Sequence, residues 1–152
     1  GEQVGILIIN DGSQDQTQEI AECLASKYPN IVRAIYQENK CHGGAVNRGL
    51  AEASGRYFKV VDSDDWVDPR AYLKILETLQ ELESKGQEVD VFVTNFVYEK
   101  EGQSRKKSMS YDSVLPVRQI FGWDQVGNFS KGQYTMMHSL IYRTDLLRAS
   151  QF

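Results

Sequence analysis

Three apolar runs, each ending in a polar loop and the first two followed by helical patterns, constrain this chain more than any other feature. Val4 to Ile9 is nearly continuous in apolar residues, the pattern of a strand covered on both faces in a parallel sheet. It breaks at "NDGSQDQT", a turn-rich loop in which Ser13 or Asp15 can cap a helix. Ile20, Leu24 and Tyr28, with Ala21 and Ala25 beside them, repeat at helical spacing until "YPN" stops the helix. "IVRAIYQ" reads as a second strand, "NKCHGG" as a loop, and "AVNRGLAEAS" as a small-residue helix with Gly55 as its stop. "RYFKVV" is a third strand and runs straight into "DSDD". This alternation predicts an α/β fold with a wound, mostly parallel sheet in three layers.

Beyond the acidic cluster, Asp68 and Pro69 suit an N-cap and first helical position. Tyr72, Leu73, Leu76, Leu79 and Leu82 then predict an amphipathic helix closed at Gly86. "DVFVTNFVYEK" reads as one long strand and "EGQSRKK" as a solvated polar tip. Residues 108–133 read as loop and short elements. "YTMMHSLIYR" reads as a strand, with Thr144 capping a helix that begins at Asp145. No internal repeat and no linker divides the 152 residues, which suffice for one domain with a sizeable core.

Composition excludes several classes. Apolar residues at 41% and charged residues at 25% are those of an ordinary globular chain. The net charge of -4 argues against nucleic acid as a partner, yet permits a nucleotide whose phosphates are neutralised locally. Cys23 and Cys41 lack a C-x-x-C partner, and His42 and His138 lie far apart in sequence. That argues against a disulfide framework or structural zinc and suits a reducing cytoplasm. No apolar run approaches the roughly 18 residues of a membrane span, and no signal peptide is visible.

In an open α/β sheet, ligands bind beyond the carboxyl ends of the strands. "NDGSQD", "ENKCHGG" and "DSDD" all fall at such ends, and three converging polar loops describe a pocket. The carboxylates of "DSDD" are hard oxygen ligands suited to Mg²⁺ or Mn²⁺ together with substrate phosphates. If side chains alternate as in a strand, Asp62 and Asp64 point the same way. An isolated D-x-D equally fits an acidic capping turn. Gly12 allows close approach or a positive φ beside Asp11, although the same loop also fits a simple helix start. Gly43 and Gly44 precede a helix N-terminus, a favourable place for a phosphate. The loop is neither a P-loop nor a G-x-G-x-x-G, so ATPase and dinucleotide readings lose ground. Alone, His42 reads as a loop or packing residue, and Trp66 as core or lid packing with ligand stacking as the rarer role.

With these segments together, the chain resembles a family 2 glycosyltransferase of the GT-A fold. "INDGSQDQT" is similar to that family's "VNDGSxDxT", "NKCHGGAVNRGLAEASGRY" to its "N-x-G-x-x-x-A-x-N-x-G-x-x-x-A-x-G-x-Y", and "DSDD" matches outright. "HSLIYRTDLL" is similar to its "K-L-Y-R-x-x-L-L" near the acceptor side. The resemblance implies a nucleotide-diphospho-sugar transferase, with Asp11, Gly12, Gly43, Gly44, Asn47, Asp62 and Asp65 around the nucleotide sugar. Asp62 and Asp64 would hold Mg²⁺ or Mn²⁺. It implies transfer from a UDP-linked donor to a glycan or lipid-linked acceptor hydroxyl, with inversion, in polysaccharide or glycoconjugate synthesis. The implied setting is the cytoplasm, with peripheral association of the parent protein at the inner membrane face.

The chain departs from the family pattern in several places. Cys41 stands where relatives often carry Gly, and Val46 where an Arg commonly precedes the Asn. The family's first strand, "S-V-I-I-P-x-Y-N", would precede Val4, and its "E-D" motif with the base would follow Phe152. On this reading the chain is a fragment truncated at both ends, inactive by itself, with no assignable catalytic base. Residues 1–99 would form the nucleotide-sugar-binding part and 100–152 the start of the acceptor side. A non-catalytic binding module of the same fold is the main alternative. A D-x-D phosphatase fits less well, because Trp66 stands where Thr or Val would follow the nucleophile. A nucleotidyltransferase would bring a Gly-rich basic loop near its start, which is not seen.

Overall fold

A computed structural model describes residues 3–99, 102 and 106–150. In chain order its elements are β1 (Ile6–Asp11), α1 (Thr17–Lys27), β2 (Val32–Gln37), α2 (Cys41–Glu52), β3 (Tyr57–Phe58), α3 (Pro69–Ser84), β4 (Val91–Val93), β5 (Phe96–Tyr98), β6 (Lys107–Met109), β7 (Leu140–Arg143) and α4 (Thr144–Ala149). Short 3-10 turns cover Trp123–Gln125 and Met137–Ser139. The strand–helix alternation anticipated over the first sixty residues is present, and the protein is of the α/β class.

β1 and β2 run parallel, in register from Ile6 opposite Val32 to Asp11 opposite Gln37. α1 crosses between them and packs on β2, with Ala21 of the helix and Val32 and Ile35 of the strand buried. α2 packs on β1 through Gly49, where a Cβ would stand 3.6 Å from the Phe58 ring and 3.7 Å from Ile9. The mostly parallel, three-layer sheet does not follow. Among the described residues β7 lies between β3 and β4, antiparallel to both, and β5 pairs antiparallel with β6. Apolar periodicity marks a buried strand but carries no information about the direction of its partner, so this difference lay beyond the pattern.

The long strand anticipated over 90–100 also breaks, into β4 and β5. Between them the Thr94 N–H and hydroxyl both donate to the Ser139 carbonyl, at 2.7 and 3.2 Å. Asn95 accepts the Tyr111 N–H at 3.1 Å. These tertiary bonds bend the chain off the β7 sheet and onto β6. Met109, Tyr111 and Val114 are buried there, with Val93, Phe96, Tyr98 and Leu115 packed around them. Of the anticipated polar tip, Glu101 and Gln103–Arg105 lie outside the described residues.

The third helix is as anticipated. The Asp68 carboxylate accepts the Ala71 N–H at 2.8 Å, Pro69 opens the helix, and Gly86 at φ +66 ends it. At the end of the chain, α4 starts at Thr144 itself. Thr144 is buried, its hydroxyl donating to the Gly55 carbonyl at 2.7 Å rather than capping α4. The Arg148 guanidinium donates to the carbonyls of Leu50, Ala51 and Ala53, satisfying the open end of α2. "RTDLLR" thus ties the last helix to the end of α2 and the turn before β3.

Candidate active site

Parallel pairing places the ends of β1 and β2 on one edge of the protein. Asn10, 1% exposed, organises the first loop: its Oδ1 accepts the Ser13 N–H at 2.9 Å and its Nδ2 donates to Gln18 at 3.0 Å. A buried amide needs such partners, and they fold "NDGS" into a turn. Gly12 sits at φ +78, and a Cβ there would meet the Asn39 backbone nitrogen at 2.9 Å. The Asp11 Oδ1 accepts from the Gln37 side chain at 2.5 Å and from the Lys40 N–H at 2.9 Å. The Gln37 amide, and then the Lys40 N–H, hold the Asp11 carboxyl below the usual carboxylate range. Asp11 therefore clasps the loop after β2 to the loop after β1.

The second loop tightens into a helix earlier than anticipated. Cys41 begins α2 at φ +61, with its N–H bonded to the Asn39 side chain at 3.1 Å. His42, Gly43 and Gly44 accordingly lie in the first turn of α2 rather than ahead of it. A Cβ on Gly44 would stand 2.3 Å from the Lys40 Cβ, so close approach requires glycine there, while Gly43 faces open space. Asn47 is exposed further along the helix. The His42 Nε2 reaches the Asp62 Oδ1 at 3.1 Å, joining the second loop to the third.

"DSDD" is a turn rather than a strand end, closed by the Asp65 N–H on the Asp62 carbonyl at 3.0 Å. The alternation that would align Asp62 with Asp64 does not operate in a turn; the ends of the turn, Asp62 and Asp65, come together instead. Asp64 is exposed and stands apart from them. The third member of the cluster is His138, whose Nδ1 lies 2.8 Å from the Asp65 Oδ2 and 3.9 Å from the Asp62 Oδ2. The two carboxylates and this nitrogen lie within 4.8 Å of one another. Hard carboxylate oxygens so gathered fit a divalent cation. Lys59 donates to the His138 carbonyl at 2.6 Å. Burial pushes the Lys59 ammonium below its usual range, against the pull of the Asp65 charge.

His138 and its contact with the acidic turn were not legible beforehand. The only trace in the sequence is the polar pair His138–Ser139 interrupting an otherwise apolar run. Trp66, after the turn, is largely exposed. A shallow surface hollow at the start of α1 is lined by Gln14, Asp15, Gln16, Thr17, Glu19 and Ile20. It is open to solvent, and neither Asp62 nor Asp65 lines it.

Comparison with known proteins gives the family of this α/β chain. The chain belongs to glycosyl transferase family 2, whose family model matches residues 1–145. It is 36% identical over 98 residues to EpsH of Bacillus subtilis, covering 64% of this chain and 26% of that protein. It is 46% identical over 67 residues to the uncharacterized glycosyltransferase YibD of Escherichia coli, covering 44% of this chain and 19% of YibD. It is also similar to the minor teichoic acid biosynthesis protein GgaB of Bacillus subtilis, 32% over 80 residues, covering 53% of this chain and 9% of GgaB. The chain thus spans about a quarter or less of the relatives named here. No solved structure gives a significant match. Among the described residues no helix is long and apolar enough to cross a membrane.

Proposed function

We propose that the protein to which this chain belongs transfers a sugar from a UDP-linked donor to a hydroxyl of a glycan or lipid-linked acceptor, with inversion at the anomeric carbon. The observation that carries the reading is the tying together of three strand-end loops, Asp11 to Lys40 at 2.9 Å and His42 to Asp62 at 3.1 Å. On this reading Asp11 and Gly12 shape the nucleoside side of the pocket. The first turn of α2, at Gly43 and Gly44 with Asn47 beyond, presents backbone N–H groups towards the diphosphate. Asp62 and Asp65 would hold Mg²⁺ or Mn²⁺, which when bound would neutralise the departing diphosphate and act as a Lewis acid. The acceptor oxygen forms its bond to the anomeric carbon opposite the breaking bond to the diphosphate, and a carboxylate takes the hydroxyl proton. The likeness to GgaB, a minor teichoic acid biosynthesis protein, supports a role in glycan synthesis; on this reading the setting is the cytoplasm, at the inner membrane face. Residues 1–99 serve the donor and 100–152 begin the acceptor side.

Calorimetric titration of the chain with UDP, with and without Mn²⁺, tests this reading. Binding that needs Mn²⁺ and falls at least tenfold in Asp62→Ala and in Asp65→Ala is the expected outcome. UDP binding indifferent to metal and to both substitutions overturns it.

A further inference from the structure

We infer that His138 is a direct nitrogen ligand of the cation, and that it tunes the acidic turn towards Mn²⁺ over Mg²⁺. The inference deepens the proposed function, resting on it for the cation's role but not for the presence of the site. The His138 Nδ1 is buried and has no hydrogen-bond partner among the described residues. The Asp65 oxygen 2.8 Å away is poorly aligned to accept an in-plane N–H. An orphaned ring nitrogen facing two carboxylates is an arrangement that a shared cation satisfies. Two ligands on ~2.1 Å bonds at right angles lie about 3.0 Å apart, close to the 2.8 Å separation of the Nδ1 from the Asp65 oxygen.

His138 is also held for the task. It sits in the Met137–Ser139 turn, and Ser139 is wholly buried. The Ser139 hydroxyl donates to the Met136 carbonyl at 2.6 Å and accepts from the Tyr111 hydroxyl at 3.2 Å. The Ser139 carbonyl takes both donors of Thr94, and Lys59 fixes the His138 carbonyl. Phe96 packs its ring 6.1 Å from the imidazole. A side chain on so constrained a backbone presents its nitrogen with little entropy left to lose. Imidazole favours later first-row metals over Mg²⁺, which prefers oxygen and water. Two carboxylates with one imidazole should therefore hold Mn²⁺ more tightly than Mg²⁺.

Histidine occurs only at positions 42 and 138, which makes the test direct. Mn²⁺ alone is added to the His42→Ala chain, leaving His138 as the single imidazole, and pulsed electron paramagnetic resonance reads nitrogen coupling to the manganese. A directly bonded nitrogen signal, lost when histidine is replaced by the ¹⁵N-labelled form in favour of the ¹⁵N pattern, is expected. His138→Gln, in the otherwise native chain, should weaken Mn²⁺ at least tenfold and Mg²⁺ less than threefold. Bound manganese without nitrogen coupling, equal weakening of both metals, or no Mn²⁺ binding by the native chain overturns the inference. Mn²⁺ held through His138 but indifferent to UDP would leave this inference standing while the donor reading falls.

Discussion

Two residues of the polar loops occupy left-handed backbone, and they carry opposite expectations. Gly12 at φ +78 has Asn39 backbone against its missing side chain. Gly12→Ala should cost about 1–3 kcal/mol, read by urea unfolding. Cys41 holds φ +61 without the freedom of glycine, so Cys41→Gly should raise stability by roughly 0.5–1 kcal/mol in the same assay. The family resemblance singled out Cys41 as a departure; the backbone gives the departure its physical meaning. Asp11 carries a pH signature. Its folded pKa lies below the ordinary value of 3.8, so its contribution is present above that value and lost as pH falls through the folded one. Asp11→Asn should flatten the fall of melting temperature as pH drops from above 3.8 through the folded value. Asp11, Gly12 and Asp62 were legible as site candidates because their residue types sit after strand patterns. His138 was not, because it is 73 positions beyond Asp65 and only the fold brings the two together.

At the scale of elements, local signals were reliable where local chemistry decides. α3 begins on its Asp68–Pro69 signature and ends near Gly86 because capping bonds involve neighbours in sequence. α2 differs at both ends. Its start lies at Cys41, where Asn39 accepts the Cys41 N–H and Asp11 the Lys40 N–H, and its end is held by a guanidinium from α4. Arg148→Met should therefore leave the fold intact while speeding amide exchange in the last turn of α2, from Leu50 to Glu52, more than elsewhere in the helix. Equal protection in both proteins would mean that the Arg148 contacts carry no weight. β4 and β5 make the complementary point. Their residues share one strand-like pattern, and the break between them comes from Ser139 and Tyr111.

Across the whole molecule, the alternation of strands and helices and the placement of acidic and glycine-rich segments after strands were set by the amino-acid order. They follow from side-chain periodicity, turn chemistry and local capping, which act over a few residues. That order also carried the resemblance that the family match bears out, and with it the α/β class. The tertiary structure decided three things. β7 entered the second sheet antiparallel to both neighbours, a choice of partner between segments distant in sequence. The acidic segment closed into a turn that joins Asp62 with Asp65 instead of Asp64. The "MHS" segment folded onto a buried serine, bringing an imidazole to that turn. Each depends on contacts whose free energy exists only after distant segments have met. A pattern read along one dimension holds the local terms of folding, and the partners of a strand or a ligand belong to the terms that packing adds.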